Sequence, residues 1–131
     1  MELYAIKVNG WENPLGFEYG VPQCSWKVRG NTGARQEWTR ILVGLDKGLQ
    51  TAVFQKEGRL NSAGESLDFP LEPYTRYWYS IAVRSDQGEE AVSQPCFFET
   101  GKLDAPWEGK WIGVEQGDTH PEFQTSFSLT E

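Results

Sequence analysis

The chain has 131 residues, room for one domain and a tail, with 38% hydrophobic and 14% aromatic content. Its formal charge is −7 and it has no basic cluster, so it lacks the means to bind nucleic acid or an anionic membrane by phosphate neutralisation. No stretch approaches the roughly 20 apolar residues that a membrane-crossing helix needs.

In chain order, Ile6-Lys7-Val8 predicts a short strand and Asn9-Gly10 a turn. Residues 11 to 22 carry Pro and Gly too often for a helix and read as an irregular loop. Cys24, Trp26 and Val28 then alternate with Gln23, Ser25, Lys27 and Arg29, a strand with one wet face and Trp26 at the centre of a core. After a break at Asn31-Thr32-Gly33, Trp38 to Gly44 and Ala52 to Gln55 read as strands with a turn at Lys47-Gly48 between them. Ser66-Leu67-Asp68-Phe69 alternates before a Leu71-Glu72-Pro73 corner. The next strand places Tyr77, Tyr79, Ile81 and Val83 on one face and Trp78 on the other. Ser85-Asp86-Gln87-Gly88 reads as a hairpin turn, and a last strand is expected from about Glu90 to Thr100, with Val92, Cys96 and Phe98 inward and an edge or bulge at Pro95. About seven strands over about 100 residues favour two packed antiparallel sheets.

Fourteen Gly and seven Pro suit short strands and turns, while six Trp, five Tyr and seven Phe suffice for one packed core. The composition shifts after Gly101. The expected organisation is a β-sandwich over 1–101, then a linker and one further strand within 102–131, where Phe123, Phe127 and Leu129 alternate with polar residues. That strand reads as the opening of a following domain, and it leaves open pairing with the sheet edge of a second copy as a homodimer. The N-terminus lacks a basic region followed by an apolar stretch, so with Met1 as the native start the expected location is the cytoplasm. Cys24 and Cys96 are the only cysteines, and in a reducing compartment both are expected as free buried thiols.

The corner followed by Tyr77 resembles the turn into the sixth strand of fibronectin type III domains, where a tyrosine hydroxyl bonds back to upstream backbone. A longer series resembles the N-terminal region of bacterial α-L-rhamnosidases, the inverting family-78 glycoside hydrolases. It comprises Val8-Asn9-Gly10, Glu12-Asn13-Pro14-Leu15-Gly16, Ser25-Trp26, Gln36 before Ile41-Leu42-Val43, and Tyr77-Trp78 with Val83-Arg84. Asp86-x-Gly88, Phe98-Glu99-Thr100-Gly101, Trp107 and Trp111-Ile112-Gly113 close it. Two departures stand out: Tyr77-Trp78-Tyr79 replaces the family's Tyr-x-Trp, and its Trp-Asp-Ser-Gly block is absent. The resemblance implies an all-β, fibronectin-III- or immunoglobulin-like leading domain, followed by further β-domains and a helical barrel that carries the acid and base carboxylates. It implies no catalytic residue within this chain.

The residues taken alone agree. Inverting hydrolysis of a glycoside needs two carboxyl groups roughly 6.5–9.5 Å apart. Glu89-Glu90 on a hairpin reads as a solvated face, and Glu12 and Glu18 lie in a loop with Trp11, Phe17 and Tyr19 that can cap a sandwich end or, less simply, stack on a sugar. The single histidine, His120, has no Ser–His–Asp setting and no Gly-x-Ser-x-Gly elbow around it. No phosphate loop or zinc motif occurs, and no cofactor or metal is expected.

The expected role is therefore noncatalytic, with the downstream domains of the same polypeptide as partner and Trp78, Trp107 and Trp111 as candidate packing residues. Trp26, Tyr77, Tyr79, Ile81 and Phe98 are the expected core. A carbohydrate-binding module and a fibronectin-III protein-interaction module are the two alternatives.

Overall fold

The computed structural model describes residues 1–16, 18 and 20–106. Trp107, Trp111, His120 and the strand expected near residues 123–129 lie outside the described residues. The described part contains eight strands and no helix: β1 (Glu2–Val8), β2 (Gln23–Arg29), β3 (Gln36–Gly44), β4 (Ala52–Gly58), β5 (Glu65–Ser66), β6 (Arg76–Ser85), β7 (Glu90–Val92) and β8 (Cys96–Glu99). They form a β1-β2-β5 sheet and a second sheet ordered β4-β3-β6, in which β6 pairs with both β7 and β8. Every pairing is antiparallel. The two sheets pack face to face as an immunoglobulin-type sandwich.

The alternation of apolar residues builds the core. Cys24 and Trp26 from one sheet meet Ile41, Val43, Tyr77, Tyr79, Ile81, Val83 and Phe98 from the other, and all are buried. The expected core residues Trp26, Tyr77, Tyr79, Ile81 and Phe98 are thus all inside. Trp26 keeps its polar edge satisfied: its Nε1 donates to Gln36 Oε1 at 2.9 Å, and Gln36 Nε2 donates to the Leu60 carbonyl at 3.1 Å. A run of rings crosses the core from Phe54 to Phe69, Tyr77 and Phe98, with neighbouring centroids 5.2–5.3 Å apart. On one flank the Lys56 ammonium of β4 pairs with the Glu65 carboxylate of β5, which ties the two sheets together. That contact and the Asn61 N–H hold the Glu65 carboxyl below its usual range.

Three local features depart from the sequence reading. First, β1 begins at Glu2, because an irregularity between Tyr4 and Lys7, where Ala5 has φ +49°, breaks the alternation that would have revealed the early residues. Asn9 and Gly10, at φ +50° and +82°, do form the tight turn, and Val8 and Trp11 exchange both backbone hydrogen bonds across it.

Second, the last expected strand is split. From Ala82↔Val92 to Tyr79↔Cys96, β6 moves three residues while its partner moves four. The extra residue lies in Ser93-Gln94-Pro95 and reverses the facing of everything before it. Val92, expected inward, is therefore 68% exposed, and Ala91 packs on the core instead. Ser93 repairs the break: its N–H donates to the Ile81 carbonyl at 2.8 Å and its Oγ accepts from the Ile81 N–H at 2.9 Å.

Third, Glu89 remains solvent-accessible at the hairpin, as expected, but it also carries structural hydrogen bonds. Its Oε1 accepts from Thr32 N, Thr32 Oγ1 and Gly33 N at 2.9–3.0 Å, so it pins the β2–β3 loop to the β6–β7 hairpin. These donors hold its carboxyl below the usual range. Glu90, its neighbour, is exposed as expected.

The corner before β6 is closed by Tyr77, whose hydroxyl accepts from the Glu72 N–H at 2.8 Å. Tyr77→Phe strands that donor and is expected to lower unfolding free energy by about 1–3 kcal/mol. Urea denaturation with an unchanged m-value checks it; a midpoint equal to that of the parent chain would show the bond to be dispensable. The converse holds at Thr39, which is fully buried with an unpartnered Oγ1 among the described residues. Thr39→Val removes that cost at nearly constant shape and is expected to raise stability by about 1 kcal/mol in the same titration.

Candidate functional site at the corner and chain exit

Many long-range polar contacts gather where the chain leaves the sandwich. Thr100 is 1% exposed. Its N–H donates to the Thr75 carbonyl at 2.9 Å, and its hydroxyl donates to the Glu72 carbonyl at 2.6 Å while accepting from the Thr75 N–H at 2.9 Å. Tyr74 N–H donates to the Gly101 carbonyl at 2.9 Å. The corner and the end of β8 are thereby knotted together.

The β1–β2 loop closes on the same segment from the other side. Phe97 N–H donates to Asn13 Oδ1 at 3.1 Å, and Glu99 N–H donates to the Pro14 carbonyl at 2.9 Å. These are the outward donors of β8, a strand with no further neighbour in its sheet among the described residues. The Glu18 carboxylate accepts from Leu103 N–H through both oxygens, at 2.8 and 3.1 Å. At Gly101 a Cβ would lie 2.6 Å from the Gly16 carbonyl oxygen, so only glycine fits between loop and exit. The sequence motif Phe98-Glu99-Thr100-Gly101 is explained residue by residue. Phe98 stacks on Tyr77, Glu99 pairs with Arg76 at 2.9 Å, Thr100 ties the corner, and Gly101 admits the loop.

Of the three candidate packing residues, Trp78 is half-buried on the outer face of the larger sheet. Its ring meets Phe97 at 5.2 Å and 63°, with Arg76 4.2 Å from the Phe97 centroid and 5.9 Å from that of Trp78. Crossed rings under a guanidinium do not form a flat platform for a sugar. Trp107 and Trp111 lie outside the described residues. The sequence placed Glu18 in a loop that can cap a sandwich end and Thr100 in the closing motif, but not their partners, and it did not indicate the Leu15–Tyr74 surface, since contacts 25 to 85 residues apart leave no local signal.

Other reactive side chains serve packing. Cys24 is fully buried, and burial first, then neighbouring Cys96 and Glu65, pushes its thiol up to about 12. Cys96 is only half-buried, contrary to expectation, because it sits next to the break at Pro95. Both thiols are free. Among the described residues no group of His, Cys, Asp or Glu has the arrangement of a metal site.

This arrangement defines an immunoglobulin-type β-sandwich with an anchored C-terminal exit. Residues 3–104 match the Rha78A-like N-terminal immunoglobulin domain, and the chain belongs to that family. A relative from Streptomyces avermitilis, described as an alpha-L-rhamnosidase, is 32% identical over 111 residues. The match takes in 79% of this chain and 11% of that protein, so the chain spans about one-ninth of its relative's length. The crystal structure of the Streptomyces avermitilis alpha-L-rhamnosidase complexed with L-rhamnose is similar with a TM-score of 0.77 and 28% identity, over 87% of this chain and 12% of that one. The alpha-L-rhamnosidase from Dictyoglumus thermophilum shares the fold, with a TM-score of 0.76 and 23% identity, over 87% of this chain and 14% of that one.

The contact at Gly101 makes a direct test of the exit geometry. Gly101→Ala forces a backbone carbonyl to shift and is expected to cost about 1–3 kcal/mol, read as a lower Tm by circular dichroism. An unchanged Tm would mean that the β1–β2 loop does not press on the exit.

Proposed function

We propose that this chain is the leading part of a longer α-L-rhamnosidase, in which it acts as a noncatalytic β-sandwich that packs against the downstream domains of the same polypeptide. The observation that carries the reading is the match at 32% identity to an α-L-rhamnosidase of which the chain spans only 11%. The use of the polar side chains supports it. Glu18, Glu89, Tyr77 and Thr100 are each spent on backbone groups of this domain.

The parent reaction is hydrolysis of terminal α-linked L-rhamnose by single displacement with inversion. The acid and base sit downstream, in keeping with the resemblance of the sequence to family-78 enzymes. The role of this domain is architectural: it covers apolar surface on its neighbours and holds the first linker in place.

The test compares three preparations: the 131-residue chain, the full polypeptide, and the full polypeptide lacking residues 1–101. The chain alone is expected to release no product from an aryl α-L-rhamnoside, and the truncated polypeptide to melt several degrees below the intact one. Hydrolysis by the chain alone would overturn the noncatalytic assignment. A reading frame ending at Glu131, or equal melting of the truncated and intact polypeptides, would overturn the packing role.

A further inference from the structure

We propose that the surface around the chain exit, built from Leu15, Val21 and Tyr74, is the seat on which the domain that follows in the same polypeptide docks. The proposal rests on the reading of the chain as a leading domain and adds the face that makes the contact.

Three observations converge on this end. The first is exposure. Leu15, Val21 and Tyr74 are 57%, 46% and 69% exposed, and Tyr74 is the most exposed large apolar side chain in the described residues. Tyr74 bonds Gly101 through its own N–H, and Leu15 directly precedes Gly16, whose carbonyl lies against Gly101. Val21 follows Gly20, which lines a cleft with Glu18, Leu71, Pro73, Leu103 and Asp104.

The second is strain. Asn13, Tyr74 and Leu103 have φ of +46°, +52° and +49°. All three make the contacts that hold the exit: Asn13 to Phe97, Tyr74 to Gly101, Leu103 to Glu18. The left-handed region is tolerable for Asn but unfavourable for Tyr and Leu, and such residues gather where structure serves a function. A glycine at position 74 would make the same backbone bond without strain. The corner instead carries an aromatic ring that is mostly turned to solvent.

The third is reach. The family match ends at residue 104, immediately after the Leu103 anchor. About nine-tenths of the matched rhamnosidase lies outside the match. A domain tethered a few residues from an anchored exit meets the adjoining surface at high effective concentration, so a small patch suffices to seat it. The rim of the patch is acidic, with Glu18, Glu72 and Asp104 exposed. The complementary surface is therefore an apolar spot framed by Lys or Arg.

The experiment uses the full polypeptide with Leu15→Ser and Tyr74→Gly combined, and with Val92→Ser, an exposed apolar residue of β7, as the control. The double variant is expected to raise the rate of tryptic cleavage at Lys102 and Lys110 by about tenfold, because cleavage follows the population of the undocked form. Val92→Ser is expected to leave that rate unchanged. In the 131-residue chain, Tyr74→Gly is expected to hold or raise the melting temperature, since it relieves the left-handed tyrosine. If Tyr74→Gly lowers it, Leu15→Ser alone carries the test, with an increase of the same sign. Unchanged cleavage in the full polypeptide overturns the proposal. If removal of residues 1–101 still lowers the melting temperature in that case, the packing role stands and the seat is elsewhere; if neither has an effect, the packing role falls as well.

Discussion

Where the chain bends between β5 and β6 and returns beside the end of β8, several backbone groups become partly buried at the end of the sandwich, beyond the reach of any strand ladder. Each needs a hydrogen-bond partner there, because a buried peptide group left unpaired costs more than most single contacts can restore. Two hydroxyls meet that need, Tyr77 for the Glu72 N–H and Thr100 for the Glu72 carbonyl and the Thr75 N–H. The ring of Tyr77 belongs at the same time to the aromatic run from Phe54 to Phe98. Apolar packing and polar satisfaction are thus fixed by one residue, and the position of β8, the exit and the β1–β2 loop all follow from it.

Much of this was legible in the sequence, for a definite reason. Where a strand has one wet face, its alternation shows directly, as with Cys24, Trp26 and Val28, or Tyr77, Tyr79 and Ile81. The corner tyrosine was legible because a turn and an in-phase aromatic stand in sequence. The illegible parts are those where alternation is interrupted or contacts are distant. The extra residue before Cys96 reversed the facing of Val92, and no local pattern announces such an insertion. Residue Ala5 hid the start of β1 in the same way. Glu89 read as a surface charge because its partners, Thr32 and Gly33, lie 57 and 56 residues away. At the candidate site the gap is wider: Trp78 was chosen for being aromatic and out of phase with the core, yet Arg76 and Phe97 cover its ring. The Leu15–Tyr74 surface carries no periodic signal, since it is assembled from a loop and a corner.

Carboxylates in this domain act as surrogate strand edges and caps. Glu89 and Asp46 each accept two or more backbone or hydroxyl donors, and Glu18 holds one N–H with both oxygens, all from loops that no ladder supports. An acidic composition is thus partly structural. Ion pairs such as Arg29 with Glu2 are exposed and add little. Membership in a family of N-terminal immunoglobulin domains fits a module whose chemistry is directed inward, at its own loops and its own exit.

The strap formed by Asn13 and Pro14 has one more consequence. Because it occupies the outward N–H groups of Phe97 and Glu99, β8 cannot serve as a template for a foreign β-segment at those positions. Nascent chains of a large multidomain protein expose many unpaired strands during synthesis, and a leading module with a bare border would invite misassembly with them. A proline at that place, unable to donate a hydrogen bond of its own, closes the border without creating another.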